Sequence, residues 1–153
     1  MNNFASVLKK KKILIFGAGF SGKKIAMEMR KSGFEAFTSS RSVKYDKWSF
    51  LYDSNNNDLP SDELFKGVTH ILSCMPPNKD GSDPLLSKLE NKLLDLNLEW
   101  AGYLSTTGVY GNTFGEWVSE NDPVNPIQER SKRRLLCEEN WLNTGLPTQI
   151  FRL

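Results

Sequence analysis

The chain has 153 residues, of which 39% are hydrophobic and 25% charged, and its formal net charge is +2. These values are typical of one globular domain and exclude collagen-like and intrinsically disordered chains. No apolar run reaches the roughly 18 residues of a membrane-spanning helix, no secretory signal begins the chain, and the charge does not favour a nucleic-acid partner. Two cysteines and one histidine exclude a disulfide framework and a multi-histidine zinc site. We therefore expect a single cytoplasmic domain over residues 1–153, without a metal.

The N-terminal part begins with a strand pattern and continues with a helix pattern. Ile13–Phe16 is a short, continuous apolar run closed by glycine, which is typical of a strand buried on both faces. Helical spacing follows over Phe20–Ser32, and Gly33 supplies a stop. Phe34–Thr38 then predicts a second strand.

The following stretch is less regular. Residues 42–62 show neither period clearly, although Trp48–Tyr52 is compatible with a short strand. Residues 53–58, with three consecutive asparagines, predict a loop. Val68–Met75 predicts another strand, which two prolines end.

Two further helices and strands are predicted in the C-terminal half. Asp83 before Pro84 indicates a helix N-cap followed by proline at the first helical position. Apolar residues then recur at helical spacing, at Leu85, Leu89, Leu93 and Leu96. Trp100–Ser105 is a strand pattern, residues 125–142 predict the last helix, and Pro147–Leu153 predicts a closing strand. Because strand and helix alternate, we expect an α/β fold with a doubly wound, mostly parallel sheet and helices on both faces.

A glycine motif lies between the first strand and the first helix, where residues 17–22 read Gly-Ala-Gly-Phe-Ser-Gly. In a dinucleotide-binding G-x-G-x-x-G turn, Gly17 allows the tight bend, Gly19 lets a pyrophosphate approach the backbone, and Gly22 lets the helix pack closely. Phe20 and Ser21 begin the helix, whose free N–H groups and dipole suit the pyrophosphate. A glycine-rich turn that binds nothing is the alternative.

The segment after the second strand bears on the choice between NAD and NADP. An NAD-preferring site places Asp or Glu about 20 residues beyond the motif to hold the ribose hydroxyls. Thr38–Ser42 contains no acid, and Arg41 lies 19 residues after Gly22, with Ser42 beside it. A guanidinium at this point could bind a 2′-phosphate. We therefore expect NADP, with NAD as one alternative and a solvent-facing Arg41 as another.

Two strand ends are expected at the ligand-binding edge of the sheet. Met75 ends the third strand pattern, and we expect it to contact the cofactor. Residues 105–111 read Ser-Thr-Thr-Gly-Val-Tyr-Gly. This segment resembles the S-[ST]-x-x-V-Y-G pattern of the extended short-chain dehydrogenase/reductases, the family of nucleotide-sugar epimerases and dehydratases. Further matches lie at 120–123 (Glu-Asn-Asp-Pro), 125–126 (Asn-Pro) and 130–132 (Arg-Ser-Lys), so the resemblance extends from about residue 12 onward.

The resemblance implies an NAD(P)-binding Rossmann fold and a catalytic role for Thr106, the hydroxyl that polarises the substrate. The family's Tyr-x-x-x-Lys motif would fall on Gln128 and Lys132, so the tyrosine is replaced. A neighbouring ammonium lowers the pKa of a phenol from its usual value near 10 and makes it a proton relay, whereas glutamine has no proton to exchange. Lys132 is then expected to bind the nicotinamide ribose or to be a solvated helix residue. Gln128 could instead close a capping box with Asn125 as the N-cap.

No neighbouring residue is a convincing replacement for the tyrosine. Tyr110 belongs to the Val-Tyr-Gly turn, and Glu129 points about 100° away around the helix. His70 and Cys137 are expected in the core. The sequence therefore resembles atypical family members, which combine a sound glycine motif with a degraded catalytic set.

The resemblance also implies that a substrate-recognising lobe would follow residue 153, so the chain is expected to be truncated relative to the family. Three functions stay open: an epimerase/dehydratase-like oxidoreductase acting on an unknown small molecule, a non-catalytic NADP sensor, and an inactive fragment. Helices at 84–97 and 127–142 correspond to the family's dimer bundle, which implies a possible homodimer.

Overall fold

The computed structural model describes residues 10–42, 44–56 and 58–153. The strands of the described chain are β1 (Lys12–Phe16), β2 (Glu35–Ser40), β3 (Ser49–Leu51), β4 (Val68–Ser73), β5 (Trp100–Ser105) and β6 (Thr148–Arg152). The α-helices are α1 (Phe20–Lys31), α2 (Asp62–Phe65), α3 (Leu86–Leu94) and α4 (Glu129–Asn143), and a short 3₁₀ helix spans Thr107–Tyr110.

The strands form one parallel sheet in the order β3-β2-β1-β4-β5-β6. In β1, Leu14 pairs with Phe37 on one side and with Ile71 on the other. The strand order reverses between β1 and β4, and this switch point is where open α/β sheets bind ligands. The predicted doubly wound parallel sheet is therefore confirmed.

One face of the sheet packs against α1. Ile13 and Ile15 of β1 form a buried cluster there with Ala26 of the helix. Leu72 and Leu104 continue the same cluster onto β4 and β5. These residues alternate along their strands, as expected for one side of a pleated sheet.

The opposite face packs against α3 and α4 in a larger buried cluster. Leu14 and Phe16 of β1 contribute to it, and the helices supply Leu89, Cys137 and Trp141. Helices therefore cover both faces, as the sequence predicted, and Cys137 is fully buried as expected. Among the described residues, none of the helices has the length and hydropathy of a membrane-spanning segment.

Several predicted elements coincide with the observed ones. β5 spans Trp100–Ser105 as predicted, and the ambiguous segment Trp48–Tyr52 joins the sheet edge as the short β3. As predicted, the Asp83 side chain binds the N–H groups at the start of α3, since its Oδ1 accepts hydrogen bonds from Leu85 and Leu86, each at 2.9 Å, although the N-cap residue itself is Leu85. Regular helix, however, begins two residues later than Pro84.

The predicted start of the last helix is wrong. Helix α4 begins at Glu129, and Gln128 is its N-cap, in extended conformation and without a side-chain capping bond. The predicted capping box between Asn125 and Gln128 is therefore absent. The reason is tertiary: the Asn125 N–H donates to the Val109 carbonyl at 2.9 Å, so Asn125 is held against the turn that follows β5.

Candidate functional site

A cleft opens at the carboxyl edge of the sheet, across the switch point. Its volume is about 530 Å³, within the range of small-molecule sites. The lining comes from the segments that follow four neighbouring strands: residues 17–19, 39–42, 52–55 and 74–78. Because the four strands are parallel, their loops meet at one edge and enclose one space.

The glycine turn forms the floor of this cleft and is held by β2. Gly17 has φ +96°, a conformation that favours glycine. Its N–H donates to Ser39 Oγ at 2.8 Å, and the Ala18 N–H donates to the Ser39 carbonyl at 3.2 Å. A further bond, from the Gly19 N–H to the Gly17 carbonyl at 2.9 Å, closes the bend.

The other two glycines differ sharply in their surroundings. A Cβ on Gly22 would overlap the Gly17 carbonyl oxygen, so only glycine lets α1 pack this closely on the turn. A Cβ on Gly19 would meet nothing within 4 Å, and Gly19 lines the cleft. The turn therefore has one face packed against its own helix and another open to a ligand.

Helix α1 points its N-terminus toward this turn. The first intrahelical bond runs from the Lys23 N–H to the Gly19 carbonyl, at 3.1 Å. The N–H groups of Phe20, Ser21 and Gly22 precede it and so have no acceptor within the helix. No acid lies in the first helical turn. With the positive end of the helix dipole, these groups suit an anion. The Phe20 side chain is 92% exposed.

The side of the cleft after β2 carries the cationic residue predicted from the sequence. Arg41 and Ser42 are exposed and line the cleft together with Tyr45. The carboxylate in the lining belongs to Asp53, and its Oδ1 accepts bonds from the backbone N–H and the side-chain amide of Asn55, at 3.1 and 3.0 Å.

The side after β4 is held by an arginine of α4. Arg134 Nη1 donates to three acceptors, the carbonyls of Met75 and Leu104 and the Tyr103 hydroxyl, each at 2.9 Å. Met75 thereby stays beside Gly17, from which a Cβ would lie 3.1 Å from the Met75 side chain. Burial raises the pKa of the neighbouring Cys74 thiol to about 12, so this thiol is protonated at neutral pH.

The predicted catalytic residues lie outside the lining of this cleft. Thr106 Oγ1 accepts a hydrogen bond from the Gly108 N–H at 3.2 Å and so caps the 3₁₀ helix. Lys132 is exposed and pairs with Glu129 at 2.7 Å. Gln128 is also exposed. The structure thus brings the glycine motif, Arg41, Ser42 and Met75 together but places Thr106, Gln128 and Lys132 elsewhere.

A buried ion pair braces the segment that contains Thr106. Glu138 of α4 is 1% exposed, and its Oε2 accepts a bond from Arg152 Nη2 at 2.8 Å. Ser105 donates to the same carboxylate, and Arg152 Nη1 lies 2.9 Å from the Tyr110 hydroxyl. Both ends of residues 105–110 are therefore tied to α4 and β6.

Sequence reasoning missed most of the lining that follows β3. Tyr52, Asp53 and Asn55 line the cleft, although residues 53–58 were expected only to be a loop. Ser39, which holds the glycine turn, was also missed. The parallel order of β1, β2 and β3 is the signal that could have found them, because it brings their carboxyl ends together.

Many solved protein structures are similar to this chain. No protein-family model and no curated protein sequence matches the chain. A conserved protein of unknown function from Silicibacter pomeroyi is 30% identical, with a TM-score of 0.78; the match covers 93% of this chain and 51% of that protein. A UDP-N-acetylglucosamine 4-epimerase from Bacillus cereus is 18% identical, with a TM-score of 0.75, over 94% of this chain and 53% of the epimerase.

A UDP-glucuronic acid 4-epimerase from Bacillus cereus, solved in complex with NAD, is 21% identical, with a TM-score of 0.68. The match covers 92% of this chain and 56% of that enzyme. The chain thus spans about half the length of the proteins that it matches. The resemblance found in the sequence is confirmed in the fold: this chain has the Rossmann fold of the NAD-dependent epimerases and dehydratases, over about half of their length.

Proposed function

We propose that the chain is an NADP-binding Rossmann domain of an oxidoreductase of the epimerase/dehydratase type. The observation that carries the proposal is the turn at Gly17–Gly22, which is tight on its helix side and open at Gly19 toward a cleft of about 530 Å³. This is the shape that lets a pyrophosphate approach the backbone. The residues present therefore fit a dinucleotide. A cytoplasmic location is part of the proposal, because Cys74 and Cys137 are free thiols.

The pyrophosphate would lie against the start of α1. The N–H groups of Phe20 and Ser21 would donate to it, and the helix dipole would favour its negative charge. Gly22 contributes indirectly, by allowing α1 to pack on the turn. Met75, held by Arg134 on the other side of the switch point, would border the nicotinamide half of the cleft.

The 2′-phosphate of NADP would lie beside Arg41 and Ser42. Both residues are exposed in the lining and directly follow β2. Ser39 and Ser40 are the residues at the end of β2, so no carboxylate stands where an NAD-preferring site holds the ribose hydroxyls. The Asp53 carboxylate accepts its hydrogen bonds from Asn55, within the loop that follows β3 and not from the segment that follows β2.

When bound, the nicotinamide ring accepts or donates a hydride. Thr106 would orient the substrate oxygen, and Lys132 would bind the ribose after releasing Glu129. Both residues lie outside the cleft lining, so these two roles rest on the family resemblance. Gln128, at the position of the family's tyrosine, cannot supply a proton. Loss of a positioned acid or base typically removes about 10²- to 10⁴-fold in rate, so we expect slow turnover.

A non-catalytic NADP-binding module is the second candidate, and Gln128 is the observation that favours it. The variant Gln128→Tyr separates the two functions. An oxidoreductase with a damaged proton relay should gain activity in this variant, reducing carbonyl compounds of a screening panel with NADPH or oxidising carbinols with NADP⁺. A binding module should bind NADPH in both forms without turnover.

Binding itself is tested by titrating the protein into NADPH and following the nicotinamide fluorescence, with NADH in parallel. The proposal predicts saturable binding of one equivalent of NADPH, tighter than NADH. Arg41→Ala should weaken NADPH binding about 10- to 100-fold, since a charged hydrogen bond contributes roughly 1.5–3 kcal/mol. The absence of saturable binding of either dinucleotide would contradict the proposal.

Homodimerisation through α3 and α4 is part of the same proposal. Leu94, Leu136 and Leu142 are exposed on these helices and could pack against a second copy. Light scattering of the purified chain measures the mass: two chains per particle support the dimer, and one chain per particle contradicts it.

A further inference from the structure

A second cation, Lys23, lies next to the side of the cleft that carries Arg41, in contact with the lining residue Tyr45. Lys23 directly follows Gly22 and lies in the first turn of α1. Its Nζ lies 5.0 Å from the centroid of the Tyr45 ring. Tyr45 and Arg41 both line the cleft. The ring therefore holds the Lys23 ammonium beside the loop that carries Arg41.

Lys23 differs from Lys24, the next residue of α1, in its ion pairing. Lys24 pairs with Glu28 at 2.9 Å along the exposed surface of α1. Among the described residues, no carboxylate lies within 4.0 Å of the Lys23 ammonium. Asp46, in the same loop as Tyr45, accepts a hydrogen bond from the Trp48 N–H at 2.9 Å. A cation held over an aromatic ring without an acidic partner is available to an incoming anion.

We propose that Lys23 is a specificity-determining residue for the 2′-phosphate, which it would bind from the α1 side while Arg41 binds it from the β2 side. The inference rests on the proposed function, because it needs the adenosine half of a dinucleotide in this cleft. A 2′-phosphate carries up to two negative charges, and two cations on opposite sides neutralise them. NADH has no 2′-phosphate, so Lys23 should affect NADPH binding only.

The test compares Lys23→Gln with Lys24→Gln by calorimetric titration of NADPH and NADH. Both variants remove one positive charge from adjacent positions of the same helix, so Lys24→Gln controls for net charge. We expect Lys23→Gln to weaken NADPH binding about tenfold and NADH binding less than twofold. Lys24→Gln should change neither by more than twofold. Tyr45→Ala should weaken NADPH binding by a smaller factor than Lys23→Gln, because the ammonium loses its platform but keeps its charge.

The outcomes distinguish the role of Lys23 from the binding of a dinucleotide in the cleft. Equal losses for NADPH and NADH in Lys23→Gln, equal effects of the two lysine variants, or no effect of Lys23→Gln would overturn the role of Lys23 and leave dinucleotide binding intact. If the unaltered protein binds neither cofactor, the proposed function and this inference both fail. A titration with 2′,5′-ADP and 5′-AMP, which differ only in the 2′-phosphate, repeats the test without the nicotinamide half, and only the affinity for 2′,5′-ADP should depend on Lys23.

Discussion

Ser39 and Gly17 are joined by a hydrogen bond of 2.8 Å from the Gly17 N–H to Ser39 Oγ. Ser39 is buried at the end of β2, and its carbonyl also accepts from the Ala18 N–H. The conformation of the glycine turn therefore depends on the neighbouring strand as well as on its own residues. A phosphate site of this kind needs a turn that is rigid before the ligand arrives, because ordering it on binding would cost affinity.

Removing the Ser39 hydroxyl should make the glycine turn less rigid. In Ser39→Ala the Gly17 N–H loses its partner, which typically costs about 1–3 kcal/mol when the group is buried. We expect a loss of unfolding free energy at the lower end of this range and several-fold weaker NADPH binding. Ser39→Thr keeps the hydroxyl and should retain most of the affinity. Urea unfolding and NADPH titration measure both effects, with Ser87→Ala, on the exposed surface of α3, as the control. Wild-type affinity in Ser39→Ala would contradict the role of Ser39.

Gly19 and Gly22 should respond in different ways when a methyl group is added. Gly22→Ala places a Cβ against the Gly17 carbonyl and should destabilise the fold, since overpacking typically costs about 1–3 kcal/mol. Gly19→Ala meets no protein atom within 4 Å and should leave the unfolding free energy unchanged. Its methyl group instead faces the cleft and should weaken NADPH binding by tenfold or more. Thermal unfolding with and without NADPH separates the two variants; unchanged NADPH affinity in Gly19→Ala would place the pyrophosphate elsewhere.

The Glu138–Arg152 pair should contribute to stability much more than a surface pair. Removing one partner of a buried pair leaves the other charge uncompensated, which typically costs about 3–5 kcal/mol. We expect Glu138→Ala to approach this loss, because the carboxylate also accepts a bond from Ser105. Glu28→Ala, which breaks the exposed pairs with Lys24 and Lys31, is the control and should not measurably change stability. Equal small effects of the two variants in urea unfolding would show that the buried pair is not holding the turn after β5.

The arrangement of strands and helices was largely readable from the sequence. The buried strands are short apolar runs, as at Ile13–Phe16, and β5 could be bounded because glycine and polar residues follow it. The start of α4 could not be predicted, because it depends on a tertiary contact between Asn125 and Val109. No pattern in the sequence around residue 125 indicates that contact. A local capping pattern there was overridden by tertiary structure.

The cleft was predictable only in part, for a related reason. The glycine motif and Arg41 carry local signals, a fixed spacing and an absent acid. Tyr52 and Asp53 carry none, because β3 is three residues long and its loop has no period. The partners of Ser39 lie 21 and 22 residues away in the sequence, and those of Glu138 lie 14 and 33 residues away, so only the folded chain shows them.

His70 is the one histidine of the chain, so its titration can be followed directly. Its ring lies between Phe34 and Trp100, with centroid distances of 5.1 and 6.1 Å. Burial lowers its pKa below the ordinary value of 6.5, Lys11 lowers it further, and Glu99 partly opposes this. Proton NMR of the imidazole should therefore give a midpoint below pH 6.5.

The lowered pKa has a consequence for stability. Protonation of His70 favours the unfolded chain, in which its pKa has the ordinary value. The stability that the folded chain gains from neutral His70 is therefore complete above about pH 6.5 and is lost as the pH falls through the folded pKa. The variant His70→Gln should lose less stability than the wild type between pH 7.5 and pH 5. An imidazole midpoint above 6.5 would contradict the sign of the shift.

The most direct test of the dinucleotide site is a ¹⁵N-labelled NMR titration of the 17.4 kDa chain with NADPH. We predict saturable shifts centred on the amides of Gly19, Phe20 and Ser21, with further shifts at Arg41 and Met75. Shifts confined to other surfaces, or no saturable shift in residues 17–22, would show that the glycine turn does not bind the cofactor.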